Sequence, residues 1–104
     1  MNLVFKALSD PTRRRVLQLL RERPMTAGEL AEQFVLSKAT MSGHFHVLRE
    51  ADLVDADKQG TTITYRLKLS VLEDALLGFT GSFGFELKLG STSSLPPNIV
   101  KRGV

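Results

Sequence analysis

The 104-residue sequence predicts a mainly α-helical domain with one small β-hairpin. Two observations support this prediction. Apolar residues recur at spacings of three and four in several segments that begin with Ser, Thr or Asp, a pattern typical of capped amphipathic helices. After Gly60 the pattern changes to alternation, with Ile63, Tyr65 and Leu67 on one side, which is typical of a half-buried strand. We therefore expect about five helices and a two-stranded hairpin.

Composition narrows the class of protein. Hydrophobic residues make up 42% of the chain, which is enough for one small core, and the length indicates one domain. The absence of cysteine excludes disulfides, thiolate metal sites and cysteine nucleophiles. The sequence has no run of 18 apolar residues and no signal-peptide pattern at its start, so we expect a cytoplasmic protein.

Net charge alone does not indicate a nucleic-acid partner. The chain carries +3 and has a pI of about 9.6. Lys88, Lys101 and Arg102 against Glu86 give residues 86–104 a net charge of +2, which leaves +1 for residues 1–85. A basic DNA-binding surface would therefore have to come from local clustering of charge.

Two helices are predicted before residue 24. Residues 3–8 form a short, strongly apolar helix. Asp10 is a good N-cap and Pro11 suits the first helical position, so a second helix is predicted over 11–23. Its buried face holds Val16, Leu17, Leu19 and Leu20, and its outer surface holds Arg13, Arg14, Arg15 and Arg21. An arginine run of this kind is either solvated helix surface or a set of phosphate contacts.

Two further helices follow with a short connection. Thr26 and Glu29 match a capping box that begins a helix over 27–34. Ser37 is a good N-cap for a helix over 38–51. About three residues join the two, which is the helix-turn-helix arrangement. In that arrangement the second helix lies in the major groove of DNA and the first braces it across the backbone.

The two faces of the segment 38–51 differ in character. Met41, Phe45 and Leu48 form one apolar stripe, whereas the opposite face is small and polar. Because a solvated helix surface more often carries Glu and Lys pairs, the small face favours close approach to the major groove. An ordinary surface helix is the alternative. The DNA-contact candidates on this helix are Lys38, Ala39, Thr40, Ser42, Gly43, His44, His46 and Arg49.

A hairpin after a helix-turn-helix makes the fold a winged helix. The candidates for phosphate or minor-groove contact at the tip of this wing are Lys58, Gln59, Thr61 and Thr62. A solvated turn without a DNA contact is the alternative interpretation of these four residues.

The last helix is predicted to begin at Ser70, which forms a capping box with Glu73. This helix and the first one offer more apolar surface than a core of this size absorbs, so we expect both to pack on a second copy in a two-fold dimer. The candidate dimerisation residues are Leu3, Val4, Leu72, Ala75, Leu76, Phe79 and Phe83. Residues 1–85 are expected to form the DNA-binding and dimerisation domain, and residues 86–104 a flexible tail.

Catalytic and metal chemistry are not indicated. His44 and His46 lie two residues apart, about 200° around a helix, so they do not share an intrachain metal ion. His46 lies near the middle of the outer face and is favoured for direct DNA contact, while His44 lies nearer the boundary with the apolar stripe. Ser42 diverges from His44 and has no orienting acid. We predict no enzyme, no cofactor and no metal site.

Four ordered motifs resemble a known family. They are FKALSDPTRR at 5–14, MTAGELA at 25–31, SKATMSGHF at 37–45 and ADLV at 51–54. Together they resemble the ArsR-type winged helix-turn-helix repressors, and among these the SdpR-type autorepressors. The resemblance implies a homodimer that binds an imperfect inverted repeat in double-stranded DNA and represses transcription, often of its own operon. It also implies that the helix from Lys38 reads the major groove and that the first and last helices dimerise.

The chain departs from this family at informative positions. Metal-sensing members carry cysteines in the helix that corresponds to 27–34, or Asp and His ligands on the last helix, whereas this chain has neither set, which argues against metal sensing. Gly43 stands where the family often has His or Arg, which leaves sequence specificity open. The resemblance also points to an inducer, either a small molecule near the dimerising helices or a membrane protein that sequesters the dimer. The alternative function is a winged-helix protein-interaction module that does not bind DNA.

Overall fold

The structure, a computed structural model, describes residues 2–86, which fold into five helices and three strands. In chain order these elements are α1 (Asn2–Leu8), α2 (Pro11–Glu22), β1 (Met25–Thr26), α3 (Ala27–Ala31), α4 (Lys38–Glu50), β2 (Val54–Gln59), β3 (Thr62–Leu67) and α5 (Leu69–Ser82). This order confirms the predicted winged helix. The predicted tail, 86–104, lies outside the described residues apart from Glu86.

Side-chain caps begin α2 and α3 as the sequence predicts. Asp10 accepts hydrogen bonds from the backbone N–H groups of Thr12 (2.8 Å) and Arg13 (3.1 Å) at the start of α2. At the start of α3 the Thr26 hydroxyl accepts from the N–H of Glu29 (3.1 Å), and the Glu29 carboxylate accepts from the N–H of Thr26 (2.9 Å). These bonds satisfy donors that have no partner within the helix.

The helix α3 is shorter than predicted, because it ends at Ala31 rather than near residue 34. Beyond Ala31 the N–H of Gln33 bonds to the carbonyl of Leu30 and the N–H of Phe34 to that of Ala31. Bonds to the third residue back tighten the chain and turn it away from the α-helical path. This turn brings Ser37 to the start of α4.

The helix α4 ends in a Schellman motif. Asp52 has a φ of 61° in the left-handed region, and the N–H of Leu53 donates to the carbonyl of Leu48 (3.1 Å). Leu53 is thereby turned into the core, where it is fully buried. The side chain of Lys68 donates to Asp52 at 2.7 Å, which holds this turn against the residue that follows β3.

The sheet has one strand more than the two-stranded wing predicted. β2 and β3 form the expected antiparallel hairpin, with Val54 opposite Leu67 and Gln59 opposite Thr62. β1 adds a third antiparallel strand on the other edge of β3. Two residues are too short to show an alternating pattern, so only the pairing with β3 identifies β1 as a strand.

The predicted cap of the last helix is wrong. α5 begins at Leu69, with Lys68 at the cap position and no side-chain cap bond, so Ser70 and Glu73 form no capping box. The reason is tertiary. The N–H of Lys68 donates to the carbonyl of Leu53 (2.8 Å), which fixes the end of the hairpin and starts the helix directly after it.

The core lies where α1, α2 and α4 pack together above the sheet. Its buried residues are Val4, Ala7, Val16, Leu17, Leu20, Met25, Leu30, Met41, Phe45, Leu48, Ala51, Leu53, Val54 and Tyr65. None of them belongs to α5, which meets the core through half-buried side chains such as Leu72 and Ala75.

Candidate nucleic-acid interface

The orientation of α4 is fixed by its two ends and by its inner face. The Ser37 hydroxyl accepts from the N–H of Thr40 (3.1 Å), which confirms the predicted N-cap. Met41, Phe45 and Leu48 are all buried, and the ring of Phe45 lies 4.8 Å from that of Tyr65 on β3. Because this stripe is buried, the opposite face of α4 is turned to solvent.

That outer face is exposed and carries little bulk over its first half. The exposed candidates on α4 are Lys38, Ala39, Thr40, Ser42, Gly43, His46 and Arg49. A Cβ built at Gly43 meets no atom within 4 Å, so packing does not require a glycine there. His46 Nε2 lies 3.7 Å from a Glu50 carboxylate oxygen, in a pair so exposed that it contributes little to stability.

His44 is the exception among the candidates on α4. Its side chain is only 15% exposed, and its Nδ1 lies 3.0 Å from a terminal nitrogen of Arg13 and 3.9 Å from a carboxylate oxygen of Asp10. The structure therefore turns His44 towards the junction of α1 and α2, away from the outer face that carries His46.

The tip of the wing is exposed as well. Gly60 has a φ of 62°, a conformation that favours glycine, and it joins β2 to β3 together with Thr61. The wing candidates Lys58, Gln59, Thr61 and Thr62 are all exposed. Lys58 is the one cation among these four and is available for a phosphate.

The apolar candidates for dimerisation fall into two groups. Leu3, Phe79 (43%) and Phe83 (62%) are exposed, and Phe79 contacts the rings of Phe5 (4.9 Å) and Phe83 (5.1 Å). Leu72, Ala75 and Leu76 are half-buried. Val4 is buried in the chain's own core, because α1 packs against α4, so it offers a partner almost no surface. Leu69, Leu77 and Phe85, which were not among the candidates, are exposed as well.

Within residues 2–86 no group of three or more His, Cys, Asp and Glu side chains is placed to hold a metal ion. In the same part of the chain, every helix falls short of the length and apolar character that crossing a membrane would need.

Known proteins resemble this chain over most of its length. A family model described as a helix-turn-helix domain matches residues 8–56. The transcriptional repressor SdpR of Bacillus subtilis is 46% identical over 76 residues, which cover 73% of this chain and 84% of SdpR. The arsenical resistance operon repressor of Staphylococcus aureus is 33% identical over 76 residues, which are 73% of each chain. The chain belongs to the ArsR family of transcriptional repressors.

Solved structures of ArsR-family proteins have the same fold. One ArsR family transcriptional regulator superposes with a TM-score of 0.69 at 30% identity, over 83% of this chain and 92% of that one. The transcriptional repressor BigR of Xylella fastidiosa superposes with a TM-score of 0.61 at 31% identity, over 75% of this chain and 83% of BigR. As an ArsR-family member, this chain is a DNA-binding transcriptional regulator and not an enzyme, which favours DNA binding over the interaction module considered above.

Proposed function

We propose that the chain acts as a homodimeric repressor that places α4 of each copy in the major groove of one half of an inverted-repeat operator. The exposed, small and polar outer face of α4 is the observation on which the proposal depends. The buried stripe of Met41, Phe45 and Leu48 holds this face outwards. A face with Gly43 and Ser42 at its centre admits close approach of base edges, and Lys38 and Arg49 flank it with positive charge.

The wing supplements α4 in this proposal. Lys58 contacts a phosphate, and Gln59, Thr61 and Thr62 lie along the backbone or in the minor groove beside the half-site. Such contacts fix the position of the protein on the duplex but do not distinguish base sequences.

The dimer is proposed from the apolar surface of α1 and α5. Leu3, Phe79 and Phe83 are exposed, and a second copy that covers them would remove apolar area from water. A two-fold dimer presents two equal copies of α4, so we expect two half-sites about 34 Å apart, one turn of the duplex.

Autorepression and an inducer are the finer parts of the proposal. SdpR is a transcriptional repressor. The resemblance to the SdpR-type autorepressors implies an operator upstream of this chain's own gene. A small-molecule inducer near the dimerising helices would find a cavity of about 420 Å³ between α2, β3 and α5, which Leu17, Leu67 and Leu72 help to line. Sequestration by a membrane protein is the other route to release from DNA.

Binding to the DNA upstream of its own gene, by footprinting and by titration at several salt concentrations, tests the proposal. We expect protection of two half-sites one turn apart. The logarithm of the association constant should fall linearly with the logarithm of the salt concentration, because phosphate neutralisation releases counterions. Equal affinity for a scrambled duplex, or a flat salt response, would exclude operator recognition, and protection of one half-site by a monomer would exclude the dimer.

A matched pair of variants locates the interface. Ser42→Asp places a negative charge on the outer face of α4, and Ser70→Asp makes the same change at an exposed site on α5. We expect the first variant to lose operator affinity by about 100-fold, since a charge repelled by phosphate costs several times RT, and the second to bind as wild type does. Equal binding by both variants would place the DNA on another surface.

A further inference from the structure

Arg13 is the first of three consecutive arginines. Its guanidinium is hydrogen-bonded to groups within the chain. Its Nε donates to the carbonyl of Ala7 (2.9 Å), and one terminal nitrogen donates to the carbonyl of Lys6 (2.9 Å). The other terminal nitrogen lies 3.0 Å from Nδ1 of His44. The two carbonyls lie at the end of α1, where the last C=O groups of a helix have no N–H partner in the following turn. That of Lys6 also accepts from the Ser9 hydroxyl (2.7 Å).

The contact with His44 requires one tautomer of its ring. A guanidinium has only donors, so a hydrogen bond between the two side chains forms only when Nδ1 of His44 accepts, with the ring proton on Nε2. The Asp10 carboxylate, 3.9 Å from Nδ1, is already bonded to the N–H groups of Thr12 and Arg13. Three segments therefore meet at one polar junction, which comprises the end of α1, the start of α2 and the middle of α4.

We infer that Arg13 and His44 are positioning residues that set the angle of α4 on α1, and that neither contacts DNA. This inference depends on the proposed function, in which α4 reads the operator. α1 carries the exposed Leu3, and its Phe5 contacts Phe79 of α5, so α1 is part of the apolar surface assigned to the dimer. The Arg13 junction thus connects the surface that sets the spacing of the two copies to the helix that reads each half-site.

This role explains a contrast on one helix. Arg15 lies two residues further along α2, is exposed, and within the described residues bonds only to the Gln18 side chain (3.2 Å). Arg13 and Arg15 therefore carry the same charge and lie on the same helix, but only Arg13 bonds to α1 and α4. A loosened junction tilts α4, which damages the contacts that distinguish base sequences more than the diffuse attraction to phosphates.

The first test compares Arg13→Gln with Arg15→Gln, each of which removes one positive charge from α2. Affinities are measured for the protected operator duplex and for a scrambled duplex at several salt concentrations. We expect R13Q to bind the operator about tenfold more weakly than R15Q does, or about 1.4 kcal/mol. The affinity for scrambled DNA and the salt slope should be the same in both variants.

The second test uses rescue at position 44. Asparagine places an acceptor oxygen near the position of Nδ1 and leucine does not, so His44→Asn should bind the operator within about threefold of wild type and His44→Leu about as weakly as R13Q. The double variant R13Q/H44L should lose no more than either single one, because both changes break the same contact. The comparison of H44N with H44L stands even if R13Q folds poorly.

Several outcomes would overturn the inference. If R13Q also weakens scrambled DNA and lowers the salt slope by about one more than R15Q does, Arg13 is a phosphate contact. If H44N is as damaging as H44L, His44 acts on DNA directly through Nε2. Identical operator binding by R13Q and R15Q would show that the junction has no influence. Failure of the proposed function is seen separately, as a wild-type chain that does not prefer the operator to the scrambled duplex.

Discussion

The helices α4 and α5 are both amphipathic in sequence, yet the structure uses them differently. The apolar stripe of α4 is complete within the chain, because Met41, Phe45 and Leu48 are all buried. The helix α5 has no buried residue, and Phe79 on its apolar side and Phe83 at its C-cap remain exposed. One helix therefore has its apolar surface covered by its own chain, and the other does not.

The difference shows which partner each helix suits. With its stripe covered, α4 presents only a polar face, which fits a hydrated, charged duplex. α5 presents aromatic and aliphatic surface, which is stabilised only by burial against another protein surface. A domain of this size has too small a core to cover every apolar face, so the face of α5 stays exposed when that of α4 is covered, and the proposed dimer would bury it.

The largest expected effect comes from breaking the α5 surface. Phe83→Glu adds a charge to an exposed site that contacts only Phe79 and Phe85 among the described rings, so the core is untouched. We expect a monomer with operator affinity reduced by about 100-fold or more, because binding to the second half-site is no longer intramolecular. Light scattering measures the oligomeric state and operator titration measures the affinity, with Phe83→Leu as the control. If the F83E variant is still a dimer, α5 is not part of the dimer interface.

The outer face of α4 is tested by Gly43→Ala. The new methyl meets no atom of the chain, and alanine favours a helix over glycine, so the free energy of unfolding should rise by about 0.5–1 kcal/mol. If bases approach this face closely, operator affinity should fall by about tenfold, or about 1.4 kcal/mol, at the same time. Thermal unfolding and DNA titration are compared with Gly81→Ala on α5, another open position. If the G43A variant is more stable but binds the operator as wild type does, the bases do not approach the outer face of α4 closely at this position.

The N-cap of α2, which lies beside His44 of α4, is tested at Asp10. Burial raises the pKa of Asp10, but hydrogen bonds from the N–H groups of Arg13 and Thr12, with nearby positive charge, outweigh it and hold the pKa below its ordinary value. Its stabilising effect is therefore present above the unfolded value, about 3.9, and is lost as the pH falls through the folded pKa.

Two substitutions at Asp10 separate the cap from its titration. Asp10→Ala should lower the free energy of unfolding at pH 7 by about 1 kcal/mol through loss of the cap. Asp10→Asn keeps a capping oxygen and should unfold less steeply than wild type as the pH falls below about 4. Denaturant unfolding from pH 2 to pH 7 measures both, with Asp74→Asn as a control for one lost charge. Parallel acid curves for D10N and wild type would contradict the lowered pKa.

The smallest effect is expected at the wing. Lys58→Gln removes one cation from an exposed strand, so affinity should fall by about threefold on operator and scrambled DNA alike. The salt slope should decrease in magnitude by about one, as for the loss of a single phosphate contact. Lys6→Gln on α1 is the matched control. An unchanged slope would mean that the wing tip is solvated, which is the alternative interpretation of these residues.

The two histidines show how much of the candidate interface the sequence predicts. Helical periodicity predicted that His46 faces outwards and that His44 lies near the boundary of the apolar stripe, and in the structure His46 is exposed and His44 is largely covered. Periodicity did not identify Arg13 as the partner of His44, because the two residues are 31 positions apart and meet only after α1, α2 and α4 have packed. The run of three arginines gave no sign that Arg13 and Arg14 bond to carbonyls at the end of α1 whereas Arg15 does not.

Features set by neighbouring residues were readable from the sequence. The caps at Asp10, Thr26 and Ser37, the stripe of α4 and the turn at Gly60 all depend on residues within a few positions, so local propensity and periodicity predict them. Features that depend on distant pairing were decided only by the tertiary structure. β1 is a strand because it pairs with β3, α5 starts at Leu69 because Lys68 bonds to Leu53, and Val4 is buried because α1 packs on α4. A local pattern fixes which face of an element is apolar, whereas the packing of the whole chain determines what covers that face.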